Sequence, residues 1–154
     1  MLVPILLLAI PAASAADHRV AARLEYGDRY DDAVGVDDGR WVAARVVDTG
    51  EVAILDTWSW SITALDPCGS SRATAVGGRA NASRIFVGCS DATVRIVDPT
   101  SSGAFDVSTS PASLPGAVTG IAANDTSIFV FTGAADGGGA VAVTTLTAAT
   151  GADS

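Results

Sequence analysis

The chain has 154 residues, with 17 acidic side chains against nine basic ones and a formal net charge of −8. A surface of this sign repels nucleic acid and anionic lipid, so neither is expected as a partner. Apolar residues make up 49% of the chain and charged residues only 17%, a balance that excludes a disordered tail and allows one modest domain with a core.

The first element in chain order is an apolar segment, residues 2–13, followed by the small residues 13–15. An apolar core that ends in a small-x-small site predicts a signal peptide over 1–15, and therefore a secreted or periplasmic protein. The alternative is an N-terminal strand of the fold. The segment is too short to cross a bilayer as a helix and no later segment is long enough, so no membrane span is expected.

An N-terminal segment, 16–32, follows, and residues 20–26 within it are a candidate outer strand. The stretch 28–38 contains five aspartates. Calcium loops alternate carboxylates at fixed spacing, whereas here the apolar residues 33–36 interrupt the run. The stretch is therefore interpreted as a loop, a strand and a hairpin turn, with a calcium site as the alternative.

Residues 33–147 repeat one order of features three times. Each unit begins with a short inner strand of small residues and continues with a hairpin of two apolar strands. Two units end in a candidate outer strand. The inner strands are 33–36, 73–76 and 118–121, and the outer strands are 60–65 and 104–108. Four short strands in about 43 residues match the size of one β-propeller blade.

The spacing of single residues supports this repeat. Val42, Val87 and Val130 are aligned at separations of 45 and 43, and Asp56 and Asp98 are 42 apart. The hairpin strands are continuous apolar runs, which are typical of strands covered on both faces, as in blades stacked around an axis.

Residues 87–98 resemble the third quarter of a WD-repeat blade, with Val97-Asp98 where Trp-Asp usually stands. Leu55-Asp56 occupies the same place in the first unit, whereas the Gly-His pair of the family is absent. The resemblance, which extends to YVTN-type bacterial propellers, covers 33–146. It implies an all-β fold: a β-propeller-like array of about three four-stranded antiparallel blades in an incomplete or open ring.

The number of units is smaller than a closed ring needs, since propellers typically have four to eight blades. Three explanations remain open: a truncated product or fragment of a longer propeller, assembly of two copies into a six-bladed ring, and an open stack with exposed faces. The first is favoured, because exposed blade faces invite aggregation, although self-association through those faces is one of the expected outcomes. The Ala/Thr/Gly tail, 148–154, carries no capping signal.

The two cysteines, Cys68 and Cys89, are an even count in an exported chain and permit a disulfide. The bridge would close a loop of about 20 residues and stabilise the fold by roughly 3 kcal/mol. Two small buried thiols are the alternative.

Two tryptophans are the candidate ligand contacts. Trp58 and Trp60 flank Ser59 near the start of the first outer strand, where strand alternation would place both rings on one face. Such a pair could contact a sugar or a peptide, and the alternative is packing between neighbouring blades.

Catalytic and metal-binding patterns are missing from the sequence. His18 is the only histidine and lies at the predicted mature N-terminus, so no catalytic triad, metal site or cofactor is expected. The predicted function is a non-enzymatic secreted binding or scaffold module for a protein or glycan partner. The alternative is a fragment of a propeller enzyme, or of a cofactor-binding propeller, whose active-site blades are missing.

Overall fold

The computed structural model describes residues 29–124, 126–133 and 141–147. The predicted signal peptide, the candidate strand 20–26, His18 and the tail 148–154 lie outside these residues. Within them the chain forms eleven β-strands and one short 3-10 turn, Asp37–Gly39. The strands make three separate antiparallel sheets, so the predicted all-β array of about three blades in an open ring is confirmed.

Each sheet is built from consecutive strands. Blade 1 contains β1 (Tyr30–Val36), β2 (Trp41–Val46), β3 (Val52–Asp56) and β4 (Ser61–Leu65). Blade 2 contains β5 (Ala73–Gly78), β6 (Ile85–Cys89), β7 (Val94–Pro99) and β8 (Phe105–Thr109). Blade 3 contains β9 (Val118–Ala123), β10 (Ser127–Gly133) and β11 (Val141–Thr147). All three inner strands and both outer strands are where the repeat predicted them, within a few residues.

Among the predicted inner and outer strands, the largest shift of a boundary is in β1, which begins at Tyr30 and not at Ala33. Its pairing with β2 shifts register between Asp31 and Val34, and Asp32 has a φ of 51°. This β-bulge accommodates Asp31 and Asp32 within the strand, because it directs the side chain of Asp32 toward blade 2. Asp32 accepts a hydrogen bond from the backbone N–H of Val76 at 2.7 Å.

The strand registers also correct the alignment of the first repeat. Val42 pairs with Leu55 and Ile85 pairs with Val97, the residues that precede Asp56 and Asp98. The counterpart of Val42 in blade 2 is therefore Ile85, and the predicted match of Val42 with Val87 is wrong by two residues. Both candidates are apolar and lie on the same face of the strand, so the amino-acid pattern alone does not distinguish them.

Every blade has two faces, here called forward (toward the following blade) and rear (toward the preceding blade). The forward face of blade 1 and the rear face of blade 2 form one buried cluster: Val36, Trp41, Ala43, Val52, Ile54, Cys68, Ala73, Val76, Ile85, Val87, Cys89 and Val97. The forward face of blade 2 and the rear face of blade 3 form the other: Ala75, Phe86, Val94, Ile96, Val118, Ile128, Val130 and Leu146. Blade 2 is covered on both faces, which explains its continuous apolar strands.

Glycines let the second pair of blades approach closely. A Cβ added at Gly77 would lie 2.2 Å from Cγ2 of Ile121, and one added at Gly88 would lie 2.3 Å from Cγ1 of Val118. No side chain larger than hydrogen fits at such distances unless Ile121 or Val118 shifts.

The connection between blades 1 and 2, residues 66–72, is held by polar contacts and by a covalent bond. Cys68 and Cys89 are joined by a disulfide with a Cα–Cα distance of 5.8 Å, within the usual range. Arg72 donates from Nη2 to the carbonyl oxygens of Val47 and Asp48, at 2.9 and 2.7 Å. These contacts fix the position of blade 1 against blade 2 through the short connecting segment.

Candidate binding surface

The candidate surface is the β3–β4 turn, residues 57–60, at one end of blade 1. Trp58 is 74% exposed and Trp60 is 52% exposed, so neither ring packs between blades. Strand β4 begins at Ser61, one residue after Trp60, whose φ is 57°. The expectation that strand alternation orders the two rings is therefore wrong, because both residues belong to a turn and period-two alternation ends where the strand ends.

The turn is organised by Asp56, the last residue of β3. Its carboxylate accepts the backbone N–H groups of Trp58 at 2.9 Å and Ser59 at 3.4 Å, and the N–H of Trp60 donates to its carbonyl oxygen at 2.8 Å. The N–H of Trp58, which is the main cause, holds the pKa of the Asp56 carboxyl below its usual range. Aspartate is favoured here because its side chain satisfies backbone donors two residues on.

Thr57 attaches the turn to the neighbouring β1–β2 connection. Its hydroxyl donates to the carbonyl oxygens of Gly39 at 2.9 Å and Arg40 at 3.0 Å, and its backbone N–H donates to Arg40 at 2.8 Å. These bonds continue the β2–β3 ladder beyond the Trp41–Asp56 pair and bring Arg40 beside the turn.

Arg40 lies between two indole rings. The central carbon of its guanidinium is 4.7 Å from the ring centroid of Trp41 and 4.3 Å from that of Trp58. Both distances are within the range of cation–π attraction. Trp41 also makes an edge-to-face contact with Phe105 of blade 2, with ring centroids 5.4 Å apart. A continuous stack thus runs from the interblade core through Arg40 to the exposed Trp58.

Arg40 was not identified as a site residue from the sequence. The hairpin register was the signal that could have found it: with Trp41 opposite Asp56, the residue before Trp41 must lie beside the residue after Asp56. The β2–β3 register thus accounts for the proximity of Arg40 to the turn, whereas the stacking of Arg40 on Trp58 depends on the course of the turn.

Of the five aspartates in the acidic stretch, Asp28 lies outside the described residues, and the other four make no common site. Asp31 accepts a hydrogen bond from Nε of Arg45 at 2.7 Å, and Asp32 faces Val76 of blade 2. Asp37 and Asp38 lie in the 3-10 turn. Among residues 29–124, 126–133 and 141–147, no group of three or more potential metal ligands is present.

The aspartates at the Trp-Asp positions make local contacts of their own. Arg84 reaches across the strands to Asp98 with two hydrogen bonds of 2.8 Å, from Nε and Nη2. This ion pair, which raises the pKa of Arg84, occupies the end of the β6–β7 hairpin. Asp56 is the residue of blade 1 that corresponds to Asp98. The aspartate at this position therefore pairs with an arginine on the neighbouring strand in blade 2 and stabilises a turn in blade 1.

Comparison with known proteins shows the fold. No protein-family model matches the chain, and no curated protein matches it. Sqt1 of Saccharomyces cerevisiae is similar in structure, with a TM-score of 0.55 and 13% identity over 82% of this chain and 34% of Sqt1. A chain in the crystal structure of the mitotic checkpoint complex also has a TM-score of 0.55, with 17% identity over 95% of this chain and 47% of that one.

Both neighbours are WD40-like propeller proteins, and this chain spans about a third and about half of their lengths. The described residues therefore have a propeller-like fold. The resemblance to YVTN-type bacterial propellers and the alternative of an enzyme fragment stay predictions. Within the described part of the chain, no helix is long and apolar enough to cross a membrane.

Proposed function

We propose that the chain is a non-enzymatic module that binds a protein partner through the surface formed by Arg40, Trp58 and Trp60. The observation that carries the proposal is the stack of Arg40 on Trp58, which holds a largely exposed indole against the blade. Tryptophan and arginine are the residue types most enriched among binding hot spots.

Stacking on Arg40 reduces the side-chain entropy that Trp58 would lose when a partner binds. An exposed tryptophan ordinarily loses rotamer freedom on binding, which reduces affinity. Here Trp58 already packs on a cation, and its backbone is held by Asp56 in the folded chain. The adjoining Asp37 and Asp38 add negative charge at the same end of the blade. A partner segment with apolar and basic side chains suits this combination of rings and carboxylates.

The fold is compatible with this role, because propellers present turns on a rigid frame. Propellers host many unrelated functions, so the proposal depends on the Arg40–Trp58 surface and not on the fold. A glycan could also stack on Trp58. A protein partner is preferred because Arg40 occupies ring surface that a sugar would use, and because its guanidinium offers donors for the backbone carbonyls of a peptide.

The test selects peptides from a displayed random library on the folded chain and measures their affinity for variants. We expect Trp58→Ala to weaken binding at least tenfold, which is the loss of a hot spot. Val107→Ala is the control, because Val107 is an exposed apolar residue, 46% accessible, on the outer strand of blade 2. Peptides that bind Trp58→Ala as well as the unchanged chain would refute this surface. Binding on a glycan array that Trp58→Ala abolishes would replace the protein partner with a sugar.

Export is part of the proposal. The apolar segment 2–13 with its small-x-small site supports secretion or periplasmic localisation, and the buried Cys68–Cys89 bridge agrees with an oxidising compartment. Expression in a bacterial host followed by N-terminal sequencing of the periplasmic product tests it. A chain that begins at Ala16 or Asp17 is the expected result, and a cytoplasmic chain that retains residues 1–15 would contradict export.

A further inference from the structure

Two arginines differ from the others in having no oxygen acceptor. Of the nine arginines in the chain, Arg19 and Arg23 lie outside the described residues. Five of the other seven donate to carboxylate, carbonyl or hydroxyl oxygens: Arg29, Arg45, Arg72, Arg84 and Arg95. Within the described part of the chain, the guanidinium groups of Arg40 and Arg79 donate no hydrogen bond and form no ion pair, and Nε of each is buried. This is unusual in a chain with a net charge of −8, because carboxylates outnumber arginines.

The two arginines lie on connections that are hydrogen-bonded to each other. Arg40 ends the β1–β2 connection, and Arg79 begins the β5–β6 connection. Two backbone N–H groups of the first connection donate to carbonyl oxygens of the second, at 3.0 and 2.5 Å: Asp37 to Ala82 and Asp38 to Ala80. The two connections, residues 37–40 and 79–84, are here called the loop junction. Blades 1 and 2 thus bring their unpaired arginines to one end of the interface between them.

The loop junction concentrates buried donors that lack an acceptor. In the residues that the structure describes, four buried side-chain nitrogen atoms have no hydrogen-bond partner. Three of them lie in the junction or directly beside it: Nε of Arg40, Nε of Arg79 and Nε1 of Trp41. The fourth belongs to Arg95, which donates to Thr109 through Nη1. Buried donors are nearly always paired, so these donors are expected to meet an oxygen that the chain itself does not supply.

The side chains of the junction favour a carboxylate as that acceptor. The guanidinium of Arg40 contacts the rings of Trp41 and Trp58, which attract a cation but offer no oxygen to its N–H groups. A guanidinium presents its donors as a planar fork, which matches the two oxygens of a carboxylate. Asp37 and Asp38 belong to the same junction, but within the described residues neither forms an ion pair with an arginine. Their carboxylates therefore leave both guanidinium groups free for a partner.

We propose that the loop junction binds a carboxylate of the partner segment, with Arg40 and Arg79 as the donors. The carboxylate belongs either to an acidic side chain or to the C-terminus of the partner. This inference rests on the proposed function, because Arg40 is also part of the Arg40–Trp58 surface. It adds one acidic group to the apolar side chains that suit the rings and the basic side chains that suit Asp37 and Asp38.

The test uses synthetic peptides that were selected on the folded chain and that lose affinity for Trp58→Ala. Each peptide is compared by calorimetric titration with versions in which its acidic residues are replaced by amides or its C-terminus is amidated. We expect one of these versions to bind the unchanged chain about tenfold more weakly, and Arg79→Gln to weaken binding of the original peptide by a similar factor. The two changes together should cost little more than either alone, because they remove the same contact. The version that loses affinity identifies the source of the carboxylate.

Arg95→Gln is the matched control for the loss of one positive charge. Arg95 belongs to the same blade as Arg79 and also has a buried Nε, but it already donates to Thr109, so its replacement should leave peptide affinity unchanged. The peptide versions test the proposal without altering the chain, so a folding defect in a variant does not affect them.

Three results would overturn this inference and leave the Trp58 surface in place. They are equal binding by Arg79→Gln and the unchanged chain, equal weakening by Arg79→Gln and Arg95→Gln, and Trp58-dependent peptides that bind as well after every carboxylate is replaced by an amide. Peptides whose affinity does not depend on Trp58 would overturn the proposed function, and this inference with it.

Discussion

The two interblade interfaces of this chain solve the same packing problem with different chemistry. The interface of blades 1 and 2 combines an apolar cluster with the Cys68–Cys89 bridge, the Arg72 hydrogen bonds and the carboxylate of Asp32. The interface of blades 2 and 3 relies on close apolar packing, in which Ile121 and Val118 press against glycines. Blade 1 is therefore held on blade 2 by a disulfide and hydrogen bonds as well as apolar contacts, and blade 3 is held by close apolar packing.

The difference has a physical consequence. Hydrogen bonds and a disulfide tolerate small changes of side-chain volume, because they act at single atoms. Close packing against glycine is less tolerant, because protein interiors are as densely packed as organic crystals and an added methyl group forces the neighbouring residues to shift. The second interface should be more sensitive to size, and the first to redox state and pH.

The largest expected effect comes from Phe86→Ala, which empties the centre of the second interface. A buried phenylalanine truncated to alanine costs about 3–5 kcal/mol in the free energy of unfolding. Phe129→Ala is the matched control, because it has the same position in the next blade but is only half-buried. Denaturant unfolding at a low protein concentration should show a small effect for Phe129→Ala, and equal losses for both variants would contradict the account.

Removal of the disulfide ranks second. The double variant Cys68→Ala with Cys89→Ala should lose about 3 kcal/mol of unfolding free energy, because the cross-link closes a loop of some 20 residues in the unfolded chain. The measurement compares it with the oxidised and the reduced unchanged chain. The reduced chain should approach the double variant. No difference between the oxidised chain and the variant would show that the bridge adds no stability.

Adding one methyl group at the second interface should have a smaller effect. Gly88→Ala places a Cβ where Val118 already lies and should cost roughly 1–3 kcal/mol by overpacking. Gly35→Ala adds the same group to a strand where nothing lies within 4 Å. If thermal unfolding shows the two variants to be equally stable, the close approach of blades 2 and 3 is not a constraint.

The smallest effect is acid sensitivity of the first interface. The hydroxyl of Thr93, followed by that of Ser71 in the blade connection, lowers the pKa of Asp91. A lowered native pKa stabilises the fold above the unfolded value of about 4, and this contribution is lost as the pH falls below it. Unfolding free energy should therefore decrease below about pH 4, and Asp91→Asn should decrease less steeply. A steeper decrease for the variant would contradict this assignment.

Strand positions were predictable because a blade repeats: small inner strands, apolar hairpins and turn residues recur at nearly constant spacing. The course of the β3–β4 turn was not predictable from the sequence. Tryptophan is common in strands, but Trp60 has a left-handed backbone conformation in a turn that is held by Asp56. The start of β1 was not predictable for the same reason, because Asp31 and Asp32 are typical of a loop but belong to a strand with a bulge. Both errors arise at polar residues whose hydrogen bonds override the local pattern.

The sequence by itself determined the class of fold, the number of repeat units and the approximate bounds of their strands, because hydrophobic periodicity and turn chemistry are local properties. Only the tertiary structure decided the register of paired strands, that Arg40 lies between Trp41 and Trp58, and which blade faces pack on each other. These depend on contacts between residues far apart in the chain, and such contacts arise only when the sheets pack.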